Sequence, residues 1–260
     1  IALHGALTTG QGVLYASLEM TRKEIVQRLI SSRSRVPLSV IRNSRLHQTQ
    51  AEKVIAEFTA LSNVPLWFVD EGEINVFAIA AHARHMQSTI GLSLIVIDYL
   101  QLMAPTQREI SREREISEIT RALKSLAKAL HVPIILLSQL NRKCDERQDK
   151  RPMISDLRES GSIEQDSDAI VFIYRDEVYK RTTSDVGKAE LIVAKQRNGE
   201  TGTVKVKFTR EFTLFEDLEE EQQPVYSVGG YSRSVAENPS ESSIDETNTD
   251  DGAQGYDETI

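Results

Sequence analysis

Leu92-Ser-Leu-Ile-Val-Ile-Asp98 is the stretch on which the fold turns. Its apolar side chains do not alternate with polar ones, so both faces call for cover, as in a strand inside a parallel sheet. The run stops on a carboxylate. Val132–Ser138 (VPIILLS) has the same character and predicts a second buried strand, ended by Gln139. Gly12–Ser17 (GVLYAS) is a third, leading into Leu18 and Glu19. Helices separate these runs. Between Arg112 and Leu130 the residues Ile116, Ile119, Leu123, Leu126 and Leu130 recur at alternating three- and four-residue spacing, a helical stripe. Thr21 and Glu24 have capping-box spacing and open a helix to about Arg35. Gln48–Leu61 and Asn75–Thr89 read as helices, and Pro65–Val69 as a strand. The alternation predicts an α/β fold, a mostly parallel twisted sheet flanked by helices.

The pattern changes toward the C-terminus. Asp168–Tyr174, Ala189–Lys195, Thr203–Phe208 and Phe212–Phe215 read as strands without intervening long helices, and Asn198-Gly199 supplies a turn. These are expected to be antiparallel or mixed. The 260 residues are 40% hydrophobic and 27% charged, which suits one large domain, or one domain and a tail. The net charge of −8 is uneven: from Glu216 onward there are 13 acidic residues and one basic residue, leaving 26 acidic and 30 basic before it. A mildly basic body over residues 1–217 and an acidic, disordered tail over 218–260 are the expected units.

No run approaches the ~18 consecutive apolar residues of a membrane span, and the start has no basic signal-peptide region, so the chain reads as cytoplasmic without membrane association. The lone Cys144 has no partner for an internal disulfide and is expected as a free thiol in a polar loop. Ile1 looks like the middle of a helix, so the chain reads as a fragment.

Glu19, Asp98 and Gln139 share a position: each follows a buried-looking strand. Ligands of open α/β sheets bind beyond such carboxyl ends. Taken singly, each is compatible with a strand-ending turn residue; together they suit metal-assisted phosphoryl transfer. Asp98 would hold Mg2+ directly or through water, Glu19 would act as base on the attacking water, and Gln139 would sense the terminal phosphate. A G-x-x-x-x-G-K-[ST] phosphate loop does not occur anywhere in the sequence.

SLEM (17–20), IDYLQLM (97–103), LSQLNR (137–142), DKRPMISDLRESGSIEQDSDAI (149–170), YRD (174–176) and AKQRNGETG (194–202) closely resemble the DnaB family of replicative DNA helicases, over roughly residues 1–217. The resemblance implies a RecA-like motor domain of a homo-hexameric ring that uses ATP and Mg2+ to move along single-stranded DNA, meeting primase and a helicase loader. It implies that Glu19 is the catalytic base, Asp98 the Walker B carboxylate and Gln139 the residue coupling phosphate state to DNA-binding loops. Lys195 and Arg197 match the pair that reaches a neighbouring subunit's nucleotide as a trans-acting finger. Arg158, Glu159 and Gly161 match the loop that holds DNA phosphates. The family's phosphate loop lies just before a helix whose end resembles Ile1–Leu7, so the chain reads as beginning downstream of that loop.

Without the resemblance, Asp156–Ser160 reads as a solvated helix cap. Two basic stretches, Arg108/Arg112/Arg114 and Arg142/Lys143/Arg147/Lys150/Arg151, are interleaved with acidic residues and read as solvated faces, although the first also suits a second DNA loop. His82 and His85 read as surface histidines, Trp67 as core, and the acidic tail as a solubilising segment in preference to a competitor for the DNA channel. A RecA-like recombination or repair ATPase and a non-catalytic interaction module are the alternatives. The isolated 260-residue chain is expected neither to bind ATP tightly nor to hydrolyse it; isothermal titration with ATP and Mg2+ checks this, and tight binding would contradict it.

Overall fold

The computed structural model describes residues 1–105, 111–157 and 161–218. Residues 219–260, almost all of the expected acidic tail, lie outside them, as do Arg108, Arg158 and Glu159. Helix α1 (Ala2–Thr9) leads into strand β1 (Gly12–Ser17) through Gly10, whose φ of 65° is the left-handed conformation that glycine tolerates. Helix α2 (Arg22–Ser34) begins where the capping box places it: Thr21 accepts from the Glu24 amide, and Glu24 accepts from the Thr21 amide. Helices α3 (Leu38–Arg42) and α4 (Gln48–Ser62) precede β2 (Leu66–Val69). Helix α5 (Val76–Thr89) is capped by Asn75, whose Oδ1 accepts from the Ala78 amide at 3.0 Å, and β3 (Leu92–Asp98) follows.

Helix α6 (Arg112–Leu130) buries the whole stripe from Ile116 to Leu130 against the sheet and α5. Ile116 and Ile119 are sealed from solvent, and each contributes about 1.5–3 kcal/mol through burial. Strand β4 (Ile134–Leu136) completes a four-stranded parallel sheet in the order β2-β1-β3-β4. Val13, Leu94 and Val96 pack on the α1 side of this sheet, while Leu14, Ala16, Ile95 and Ile97 join the cluster that includes α5 and α6.

A second, antiparallel sheet follows in the order β5 (Ala169–Tyr174), β6 (Lys188–Gln196), β7 (Gly202–Thr209), β8 (Leu214–Asp217). The short helices α7 (Gly161–Asp166) and α8 (Asp176–Tyr179) flank β5. The division into parallel and antiparallel parts matches expectation. Among the described residues, no helix is long and apolar enough to cross a membrane.

Two expectations need correction, and the free thiol of Cys144 gains a detail. The strand expected over Val132–Ser138 is only three residues long and half-buried, because it closes one margin of its sheet and pairs with β3 alone. Trp67 is not core: it is 50% exposed on β2, the opposite margin, beyond the cover that α5 gives to Leu14 and Ala16. Cys144 is free but buried, and burial pushes its thiol pKa up.

The basic stretch before Arg158 is not uniformly a solvated face either. Arg147 makes a two-pronged contact with the buried Asp156, at 2.7 and 2.6 Å, and also donates to the Arg151 carbonyl. Arg151 clasps the buried Glu190 of β6 at 2.7 Å through two nitrogens and lies over the Tyr174 ring. Planar guanidinium forks match carboxylates in this bidentate way. With the Asn141 amide donating to the Asp156 carbonyl, they tie residues 147–156 to β6 and to the chain that follows β4.

Arg147 holds the Asp156 carboxyl below the usual carboxylate range. The stability this adds is complete above about pH 4, where the unfolded carboxyl is ionised, and is lost as pH falls through the lowered folded value. Asp156→Asn is expected to lower the free energy of unfolding by about 1–3 kcal/mol at pH 7. The gap from the parent narrows in acid. Urea unfolding at neutral and acid pH checks both.

Candidate active site

Parallel pairing carries the three expected site residues to one edge. Ser17 lies opposite Asp98 in the β1–β3 register, and Ile97 lies opposite Leu136 in the β3–β4 register. Glu19 is two residues beyond Ser17 and Gln139 three beyond Leu136, so all three leave the carboxyl ends of adjacent strands. The ladder continues past the strands: Leu18 donates to the Asp98 carbonyl at 2.8 Å, and Leu137 to the Ile97 carbonyl at 3.0 Å. Glu19 and Gln139 are exposed, and Asp98 is half-buried.

Local bonds hold these tips. The Ser17 hydroxyl donates to the Met20 carbonyl at 2.6 Å and accepts from the Met20 amide at 3.3 Å, closing the turn that presents Glu19. The Tyr15 hydroxyl donates to Asp98 Oδ2 at 3.1 Å. Tyr15 faces Val96 in the register, so the pleat brings Tyr15 and Asp98 to the same side. Burial, then the Asp98 charge, push the phenol pKa well above its ordinary value, keeping the donor protonated. Tyr15 is not among the site residues expected from the sequence. Its signal there is a hydroxyl inside an otherwise apolar strand, since a buried phenol needs a partner.

Among the described residues no three His, Cys, Asp or Glu side chains gather to hold a metal. One carboxylate at a strand end still fits Mg2+, which keeps several waters and is completed by substrate phosphates. Asp98 has that character. His82 and His85 lie on α5, half-exposed and exposed.

Lys195 and Arg197 stand apart from these tips. Lys195 donates to the carbonyls of Glu164 and, at 2.8 Å, Ser167; Arg197 pairs with Asp168 at 3.3 Å and donates to the Gln165 carbonyl. Both belong to the antiparallel sheet side and hold the turn between α7 and β5. Gly161 opens α7, and among the described residues no atom lies within 4 Å of where its Cβ would stand. Arg112 is not a free surface cation: it pairs with Glu115 at 2.7 Å and donates to the Gln101 carbonyl at 2.8 Å. Arg114, Arg142 and Lys143 are exposed or half-exposed.

Residues 1–217 match the family model described as the DnaB-like helicase C terminal domain. The replicative DNA helicase DnaB of Leifsonia xyli subsp. xyli is 44% identical over 205 residues, covering 79% of this chain and 45% of that protein. The replicative DNA helicase DnaB of Geobacillus stearothermophilus is 42% identical over 220 residues, covering 84% and 48%. The chain thus spans about half the length of these relatives. Among solved structures, a DnaB-like replicative helicase, described with its interactions with primase, superposes with a TM-score of 0.80 at 37% identity, covering 84% of this chain and 53% of that one. A solved ATPase domain gives 0.78 at 38% identity, covering 82% and 76%. The RadB recombinase gives 0.50 at 16% identity, a likeness of fold alone.

Tyr15→Phe is expected to destabilise the protein by about 0.5–1.5 kcal/mol, the usual net worth of such a hydrogen bond. It should also leave unchanged the number of phenols ionising near their ordinary pKa of about 10. Chemical denaturation and an absorbance-detected alkaline titration check the two, and loss of an ordinary phenol would exclude the bond to Asp98.

Proposed function

The chain belongs to the family of DnaB-like helicase C-terminal domains, and on that premise we propose that it is the ATP-hydrolysing motor of a replicative DNA helicase, drawing single-stranded DNA through a homo-hexameric ring. The convergence of Glu19, Asp98 and Gln139 on one edge of a parallel sheet is the observation that carries this reading. A helicase loader and primase are the proposed partners; the helicase neighbour described with primase supports the latter.

In this reading Glu19, exposed at its turn, takes the proton from the water that attacks the terminal phosphate. Asp98, oriented by Tyr15, would hold a magnesium ion through water, which would supply neutralisation of the charge on the phosphates. Gln139 hydrogen-bonds the terminal phosphate and reports its loss. Lys195 and Arg197 leave their own α7–β5 turn to meet a neighbouring subunit's nucleotide, so hydrolysis waits on assembly. Arg158, Glu159 and Gly161 hold DNA phosphates, contacts that carry no base information. The G-x-x-x-x-G-K-[ST] pattern of a phosphate loop does not occur in the sequence. Neither a recombination ATPase nor a non-catalytic module draws support from a specific observation; likeness to the recombinase extends to fold only.

In a full-length helicase carrying this domain, Glu19→Gln is expected to cut DNA-stimulated ATP hydrolysis by about 10²–10⁴, the usual worth of a general base, while ATP and DNA binding persist. DNA affinity should fall with salt at a log–log slope near about −0.7 for each phosphate held. Retained hydrolysis in Glu19→Gln, or salt-insensitive binding, would overturn the reading.

A further inference from the structure

Gln101 lies on the short 3-10 turn Leu100–Leu102, three residues after Asp98. Leu100 is fully buried, and its amide donates to the Leu137 carbonyl at 2.9 Å, pinning this turn to the chain that leaves β4. From there the Gln101 side chain crosses to the neighbouring segment. Its Oε1 accepts from the Gln139 amide at 3.1 Å, and its Nε2 donates to Ser138 Oγ at 3.0 Å, with a longer contact to the Gln139 carbonyl at 3.4 Å. One carboxamide is thus used at both ends, which fixes its orientation: reversed, it would set a donor against the Gln139 amide. The main chain of Gln101 is itself held, because Arg112 donates to its carbonyl at 2.8 Å while pairing with Glu115.

We propose that Gln101 is a positioning residue for Gln139, fixing the backbone from which the phosphate-sensing amide projects. The inference rests on the role given to Gln139 above. Gln139 is exposed and already three residues past the end of β4, and the next regular turn starts only at Arg142. The clamp replaces the missing strand ladder at that point. It also links the two strand ends, since the turn carrying Gln101 starts two residues after Asp98, the last residue of β3. A displacement of about 1 Å at a reacting centre can cost on the order of 10²-fold in rate, so a backbone clamp at this place has a kinetic consequence.

Two readouts and three variants, Gln101→Leu, Gln101→Glu and Gln139→Ala, test this. In the 260-residue chain, Gln101→Leu removes both arms of the clamp, and hydrogen exchange at the Gln139 amide should speed by about tenfold, the loss of one ordinary hydrogen bond. Gln101→Glu keeps an acceptor for that amide but not the donor to Ser138, so it should lie between the parent and Gln101→Leu. In a full-length helicase carrying this domain, the same order is expected in the DNA-stimulated kcat, with Gln101→Leu reduced about tenfold and the KM for ATP within about twofold. Unchanged exchange at Gln139, or an unchanged kcat beside a reduced kcat in Gln139→Ala, overturns the positioning role alone. An unchanged kcat in Gln139→Ala instead overturns the assigned role of Gln139 and this inference with it. Should Gln101→Leu not fold, Gln101→Glu against Gln139→Ala decides the same question.

Discussion

Everything at the proposed site depends on the parallel pairing of β3 with β1 on one side and β4 on the other. Three strands running the same way end at the same edge, and their side chains leave the ladder where no further backbone partner is required of them. Because Leu14, Ile95 and Ile97 fit the cluster on one covered face and Val13, Leu94 and Val96 the cluster on the other, a one-residue slip would exchange the two sets and mismatch both. The core thereby enforces the juxtaposition of Glu19, Asp98 and Gln139, although none of the three is itself fully buried.

Around that edge, polar side chains continue what the backbone ladder leaves unfinished. Ser17 closes the Glu19 turn, Tyr15 holds Asp98, and Gln101 holds the chain at Gln139. A comparable logic governs the segment before position 158, where Arg147 and Arg151 are committed to Asp156 and Glu190. Two cations from a stretch that reads as a solvated basic face therefore act inside the molecule. Cations such as Arg142 and Lys143 remain accessible to a polyanion. Breaking either buried pair leaves a charge without its partner, which costs more than the pair contributes.

Local signals are legible wherever a short range decides the outcome. The capping box at Thr21, the asparagine cap at Asn75 and the apolar stripe of α6 depend on residues within a few positions of each other, and each is found where the spacing puts it. Trp67 reads wrongly as core because its neighbours Leu66 and Phe68 describe an apolar strand without saying that this strand is a margin. The same applies to β4: an apolar run announces a strand, but its length depends on how far the adjacent strand can pair with it.

By itself the sequence determined the α/β class, the strand-end carboxylates and amide, and the motifs that resemble a replicative helicase, since composition, periodicity and contiguous motifs are local properties. Only the tertiary structure decided which polar groups meet. Tyr15 and Asp98 are 83 residues apart, and Gln101 and Gln139 are 38 apart. Such pairs form through strand register and loop closure, which are settled when the sheet assembles and leave no trace in the spacing of either residue's neighbours.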